Sequence, residues 1–167
     1  SRGLGDVYKR QVGHSARDTF AVLHTMGLPL ECKPFSVGFR AEHLQTEIEK
    51  SLYHGAAGNP ALPRGEYQLS QHVGQRCVYT FCMCPGGYVV AAASEEGRLA
   101  VNGMSEHARD GQNANSALLV QVFPEDFGSE HPLAGMYFQR ELEEKAFQAG
   151  GGNYTAPVQT VGSFLQD

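Results

Sequence analysis

The sequence predicts an α+β fold, in which a mostly antiparallel sheet is accompanied by about three helices. Five strand-like runs follow one another between residues 66 and 122 and are separated by short turns, which is typical of antiparallel connections. Three other segments carry apolar residues at helical spacing. The chain has 167 residues, 41% of them hydrophobic and 19% charged, which indicates one globular domain with its own core.

The first helix is expected after a glycine turn in the segment VGHSARDTFAVLHTMG. Ser15 is the expected N-cap, Asp18 is placed three residues on to reach back to the cap amide, and Gly27 ends the helix. The free N–H groups at the start of this helix would favour an anionic group lying above the turn.

The remaining elements follow in order along the chain. The alternating apolar residues of KPFSVGFRAEH predict a strand, LQTEIEKSLY predicts a short polar helix, and residues 55–65 predict a loop. The runs EYQLSQHV, RCVYTFCMC, GYVVAAAS, GRLAVNGMS and SALLVQV then predict an antiparallel meander. Met136 to Ala149 predicts an amphipathic helix, and GGGNYTAPVQ a closing loop.

Charge and cysteine content narrow the class of function. The net charge is −5 and no lysine or arginine cluster occurs, which argues against partners such as nucleic acid or an anionic membrane surface. No apolar run approaches the roughly 18 residues that a membrane span needs, and the start lacks the apolar segment of a signal peptide. We therefore expect a cytoplasmic protein whose four cysteines are reduced.

The beginning of the sequence has an unusual composition. Residues 6–11 read DVYKRQ, and their back-translation GAT GTG TAT AAG AGA CAG looks like a transposon end used in preparing sequencing libraries. We interpret residues 1–11 as adapter sequence read as protein, and expect the genuine chain to begin near Val12. A natural basic N-terminal arm is the alternative, and both ends of the chain look cut.

The stretch TFCMCPGG places Cys82 and Cys84 one residue apart before a Pro-Gly-Gly turn. Strand alternation would allow both sulfurs to point to the same face. Three interpretations stay open: a zinc site, a redox pair, or small packing residues beside a turn. Packing is favoured, because no second pair of closely spaced metal ligands is present and the C-x-C pair does not open a helix.

A second dense stretch, NGMSEHARDGQNANSALL at residues 102–119, carries many hydrogen-bonding side chains between apolar strands. Arg109 is suited to bidentate binding of a phosphate or carboxylate, and the equal alternative is a solvated hairpin loop. The sequence contains no G-x-S-x-G, G-x-G-x-x-G or Walker motif outside the excluded residues, which disfavours a hydrolase and a self-contained nucleotide site.

Several motifs in a fixed order are more specific than any of them alone. GHSARDTF, KPFSVGFRAEH, YTFCMCPGGYVVAAASEEG, VNGMSEHARDGQNANSALLVQV and NYTAPVQ-x-VGSFL resemble a family of bacterial FAD-dependent oxidoreductases, also described as NAD(FAD)-utilising dehydrogenases of unknown substrate. The resemblance covers residues 12–167. It implies that residues 12–30 are a remnant of a FAD-binding domain. It also implies that residues 31–167 are the inserted substrate-side domain that covers the flavin in a flavoprotein of the two-dinucleotide-binding type.

The resemblance also implies roles for particular residues. The turn before the first helix would approach the FAD diphosphate and ribose, and the Pro-Gly-Gly turn would lie beside the flavin. The implied FAD-binding residues are Gly13, His14, Ser15, Arg17, Pro85, Gly86 and Gly87. The implied catalytic residues are Cys82, Cys84, His107 and Arg109, where Arg109 would bind an anionic substrate group and His107 or Cys84 would deliver a proton.

The expected partners are a small-molecule substrate, NAD(P)H as the reductant, and the missing N- and C-terminal parts of the same polypeptide. A stand-alone module that binds a thiol-held metal or a small ligand without catalysis is the alternative function. No metal site is predicted within the flavoprotein interpretation.

Overall fold

The computed structural model describes residues 11–166, so the predicted adapter segment lies outside the described residues except for its last one. The α+β class predicted from the sequence is confirmed, with four helices where about three were expected. Within residues 11–166 the helices are α1 (Arg17–Thr25), α2 (Gln45–Tyr53), α3 (Ala134–Ala149) and α4 (Val161–Phe164). The strands are β1 (Phe35–Leu44), β2 (Ser70–Val73), β3 (Arg76–Pro85), β4 (Gly87–Ala91), β5 (Val101–Ser105) and β6 (Asn113–Val122). One-turn 3₁₀ helices lie at His54–Ala56 and Pro124–Phe127.

Four strands form an antiparallel sheet in the order β1-β6-β3-β2, and β4 and β5 form a separate two-stranded hairpin. The predicted meander is therefore wrong in its pairing, because β3 pairs with β6 and not with the next strand along the chain. The turn at Gly86 directs the chain out of the sheet, and the hairpin is completed before β6 returns to the centre. β6 pairs with β1 over ten residues, from Phe35 opposite Val122 to Leu44 opposite Asn113.

The hydrophobic core lies on one side of this sheet, which we call the helix face and define by the β1 side chains of Phe35, Phe39 and His43. The Phe35 ring stacks on Phe127 at 5.1 Å and meets Phe138 of α3 edge-on at 6.3 Å. Further along β1, Phe39 meets Phe164 of α4 at 5.2 Å. Three separate segments are therefore held against one strand by aromatic contacts.

The β4–β5 hairpin lies on the opposite side of the sheet, which we call the hairpin face and define by Arg40, Glu42 and Asn115. Glu42 Oε2 accepts a hydrogen bond of 2.7 Å from the Val89 amide of β4. A Cβ atom at Gly103 of β5 would overlap Asn115 Oδ1 and Arg40 Nη2. The hairpin can approach the sheet this closely only because position 103 has no side chain.

The N-cap of the first helix lies one residue later than predicted. Ala16 occupies the N-cap position and no side chain caps the helix, so the prediction of Ser15 as N-cap is wrong. The Ser15 hydroxyl instead lies 3.0 Å from the Ser94 hydroxyl in the β4–β5 loop, and Asp18 accepts from the Thr19 amide. The helix end agrees with the sequence, since Gly27 adopts a positive φ of 77° after the last turn.

A buried ion network joins α1 to α3 and to the loop between β4 and β5. Arg17 is only 2% exposed; its guanidinium contacts Glu95 at 2.6 Å and Glu143 at 2.6 Å. Arg140 of α3 contacts the same Glu95 at 2.6 Å. Hydrogen bonds from Arg140 and then from Arg17 lower the pKa of Glu95 from its ordinary 4.5 to about 2, although burial opposes the shift. The hydrogen bond to Glu143 raises the pKa of Arg17.

We expect Arg17→Met to lower the free energy of unfolding by about 3 kcal/mol at pH 7, because it leaves partly buried carboxylates without their cation. The folded-state pKa of Glu95 is lowered, so the network stabilises the fold above about pH 4.5 and this stabilisation is lost as the pH falls towards 2. Urea unfolding of both proteins between pH 7 and pH 3 would show the difference shrinking with acid.

Lys145→Met is the matched control, because Lys145 and its partner Glu141 are both largely exposed. Its effect should stay within about 0.5 kcal/mol. Equal destabilisation by the two substitutions would contradict the importance of the Arg17 network.

Candidate functional site

The structure brings together the two segments that the sequence singled out, the Pro-Gly-Gly turn and the polar loop after β5. A Cβ at Gly86 would overlap the Arg109 backbone, and a Cβ at Gly111 would overlap the Gly86 carbonyl. The Gly86 amide also donates to Oε1 of the buried Gln45 at 3.2 Å. The glycines thus allow close approach, as expected, but the partner that they approach here is the protein's own backbone.

A β-bulge interrupts β3 at the two neighbouring cysteines. Phe81 pairs with Ala117 and Cys84 pairs with Asn115, so three steps along β3 match two along β6. Cys82 takes a positive φ of 51° within this bulge. The regular alternation on which a shared orientation of the two sulfurs depended is therefore broken.

Arg40 of β1 stabilises the bulge by hydrogen bonds to residues of β3 and β6. Its Nε donates to Asn115 Oδ1 at 2.7 Å, its Nη2 donates to the Cys82 carbonyl at 2.6 Å, and the Cys84 sulfur lies 3.7 Å from the same Nη2. All four cysteines are free. Within residues 11–166 no group of three or more histidine, cysteine, aspartate or glutamate side chains is placed to hold a metal ion.

The other two predicted catalytic residues lie on the exposed loop after β5. His107 and Arg109 are both exposed, and Arg109 has a positive φ of 53°. The Arg109 guanidinium pairs with Glu66 at 3.1 Å, with both side chains more than half exposed. Its carbonyl accepts from Arg64 at 2.8 Å, so the backbone of this loop is fixed while its charged side chains face solvent.

The residues predicted to contact FAD fall into two groups. Gly13, His14 and Ser15 are exposed, and Gly13 has open space at its Cα. Arg17 is buried and its terminal nitrogens are bonded to Glu95, Glu143 and Gln139. Pro85, Gly86 and Gly87 are also buried. Contact of these residues with a flavin stays a prediction.

A cavity that the sequence did not predict lies on the helix face, between α2 and the sheet. Its volume is about 500 Å³, within the range of small-molecule sites. Ile48 and Leu52 of α2 form one wall, Ala41 and Leu118 of the sheet form the other, and Leu69 lies at the rim.

Two polar side chains meet at the wall of this cavity. The Tyr67 hydroxyl lies 2.7 Å from His43 Nε2, and Thr80 and Ser116 line the cavity beside them. Burial raises the pKa of Tyr67, and a hydrogen bond with Ser116 offsets part of that rise. Tyr67 is therefore a neutral phenol at physiological pH. His43 Nδ1 is buried and has no hydrogen-bond partner.

Sequence reasoning missed this pair because its members come from a strand and a loop 24 residues apart. The available signal was partial: alternation along β1 places His43 on the same face as the apolar Ala41 and Phe39. Nothing in the sequence indicated that Tyr67 would cross to that face.

Comparison with known proteins identifies the family. The profile of the family described as "FAD-dependent protein, C-terminal domain-like" matches residues 34–167. The chain belongs to this family. The match supports the association with a flavoprotein that the sequence motifs indicated.

A relative from Clostridium beijerinckii, described as "Uncharacterized protein", is 53% identical over 158 residues. The match covers 93% of this chain and 30% of the relative, so the chain spans about 30% of the length of that protein. Among residues 11–166, no helix is long and apolar enough to cross a membrane.

Two of the residues predicted to contact FAD, Arg17 and Gly86, already have hydrogen-bond partners within the protein. A pyrophosphate needs free backbone N–H groups or cations, but Arg17 is committed to carboxylates and the Gly86 amide donates to Gln45. The Gly13–Ser15 turn is exposed, with open space at Gly13.

We expect Gly86→Ala to destabilise the fold by about 3 kcal/mol or more, the sum of left-handed strain and overlap with the Arg109 backbone. Gly97→Ala is the matched control, since Gly97 has a similar φ of 69° and open space at its Cα. Its cost should be only about 1–2 kcal/mol of strain. Chemical denaturation measures both, and equal costs would show that the Gly86–Arg109 approach is not as close as described.

Proposed function

We propose that this chain is the substrate-side part of a FAD-dependent oxidoreductase. In the whole protein the flavin would carry hydride or electrons to or from a small molecule, with NAD(P)H as the reductant. The observation that carries the proposal is membership of the FAD-dependent family over residues 34–167. The cavity on the helix face supports it, because substrate sites combine apolar walls with a few convergent polar groups.

The proposal divides the work between two parts of one polypeptide. The part that corresponds to the rest of the Clostridium relative would bind FAD. This division is consistent with Arg17, a predicted FAD contact, being bonded to a carboxylate of its own chain. This chain would supply a partly open apolar cavity and the Tyr67–His43 hydrogen bond for the substrate. Of the residues implied by the motifs, His107 and Arg109 are accessible to a second body and remain candidates there.

A stand-alone module that binds a metal through thiols is not favoured. Within the described residues, the sulfur of Cys84 is near Arg40 and no cluster of three suitable ligands includes it. A cation beside a thiol would oppose binding of a metal cation at that place.

The decisive experiment replaces the matching segment of the Clostridium relative by residues 12–167 of this chain. The chimera should purify with about one FAD per polypeptide, whereas the 167-residue chain alone should bind FAD weakly or not at all, because the main pyrophosphate site lies in the other part. The visible absorption spectrum of each protein gives the flavin content.

Two outcomes would contradict the proposal. A stoichiometric flavin spectrum from the 167-residue chain alone would place the main cofactor site in this chain. Absence of flavin from both the chimera and the unaltered relative would remove the oxidoreductase interpretation. About one zinc per chain, lost when Cys82 and Cys84 become serine, would favour the metal-binding alternative.

A further inference from the structure

We propose that the cavity between α2 and the sheet binds an uncharged, ring-sized apolar compound through an oxygen acceptor that receives a hydrogen bond from Tyr67. The inference deepens the proposed function by naming the class of its substrate, but binding itself does not require the flavin. It is carried by the walls of the cavity, by their lack of fixed charge and by the hydrogen-bond state of two side chains.

The lining explains why the ligand is uncharged. None of the eleven residues that line the cavity is an aspartate, glutamate, lysine or arginine. An ionised ligand entering between Ile48, Leu52 and Leu118 would lose hydration without gaining a counter-ion. Arg109, the residue that the sequence suggested for an anionic group, is not part of this lining.

The polar groups of the cavity are not equally free to meet a ligand. Thr80 Oγ1 accepts from the Leu69 amide at 2.7 Å and lies 3.4 Å from the Leu69 carbonyl, so both of its roles are occupied. The Ser116 hydroxyl lies 3.3 Å from the Phe81 carbonyl and 3.2 Å from the Ala117 carbonyl. Ser51 of α2 also lines the cavity, but it is exposed to solvent. Tyr67 and His43 are the half-buried pair that can recognise an oxygen atom.

The pair has two arrangements of its protons. If the phenol donates to His43 Nε2, the buried Nδ1 carries a proton without an acceptor. If Nε2–H donates to the phenol oxygen, Nδ1 is a bare nitrogen, and the Tyr67 proton can go to the Ser116 hydroxyl or to a ligand oxygen in the cavity. Nδ1 lacks a partner in both arrangements, as a donor in the first and as an acceptor in the second. In the second arrangement, a carbonyl or ether oxygen in the cavity would accept the Tyr67 proton.

The binding test uses three probes that share one ring system: 2-acetylnaphthalene, naphthalene and 2-naphthoate. Equilibrium dialysis against the 167-residue chain and against the chimera without FAD gives each Kd. The acetyl compound should bind about fivefold more tightly than naphthalene, the gain of one hydrogen bond, and 2-naphthoate at least about tenfold more weakly than the acetyl compound.

Two tyrosine variants make the test specific to the pair. In Tyr67→Phe the advantage of the acetyl group should shrink to within about twofold. Tyr53→Phe is the matched control: Tyr53 also loses a hydrogen bond, to the Pro63 carbonyl at 3.0 Å, but it does not line this cavity. Leu52→Trp should weaken all three probes together by filling the space.

The proposal is overturned if the acetyl advantage survives Tyr67→Phe, if it is lost equally in Tyr53→Phe, or if 2-naphthoate binds best. Loss of probe binding when the chimera is loaded with FAD would show that the flavin or its domain occupies the cavity, which also overturns it. Flavin content measured on the same chimera separates the two claims, since probe binding without flavin would leave the cavity assigned and the oxidoreductase rejected.

Discussion

The register of β6 between β1 and β3 is the constraint on which the rest of the structure depends. Because β6 is paired on both edges, its side chains have no alternative to the two faces of the sheet. Ser116 and Leu118 line the cavity on the helix face, while Asn115 binds Arg40 on the hairpin face. A shift of the pairing by one residue would move each of these side chains to the opposite face. The cavity would then lose its lining, and the hairpin would lose the surface on which it packs.

The bulge in β3 allows the strand to stay paired with β6 and still enter the turn at Gly86. One extra residue between Phe81 and Cys84 keeps the pairing with β6 on both sides of the irregularity and delivers Gly86 to the Arg109 backbone. Arg40 binds the carbonyl that the bulge leaves free at Cys82. The two cysteines are therefore part of an irregular stretch of backbone, and the Cys84 thiol lies 3.7 Å from the Cys82 carbonyl.

The charged side chains fall into two sets, one shielded from water and one exposed to it. The Arg17, Glu95, Arg140 and Glu143 network fastens α1 and α3 to the β4–β5 loop with charges that are largely shielded from water. The cavity beneath α2 has no fixed charge in its walls, and the charged side chains of the loop after β5 face solvent.

The sequence by itself determined the α+β class, the places of the main strands and helices, and, through several ordered motifs, the flavoprotein family that the profile match supports. These properties follow from local periodicity and turn residues, which act within a few neighbours along the chain.

Only the tertiary structure decided that β3 pairs with β6, that Arg17 is buried among carboxylates, and that Tyr67 meets His43. Ser15 illustrates the limit, since its local pattern fitted an N-cap but Ser94, 79 residues away, became its partner. Contacts between residues so distant in sequence leave no local periodicity, because the free energy that selects them arises only when separate elements pack.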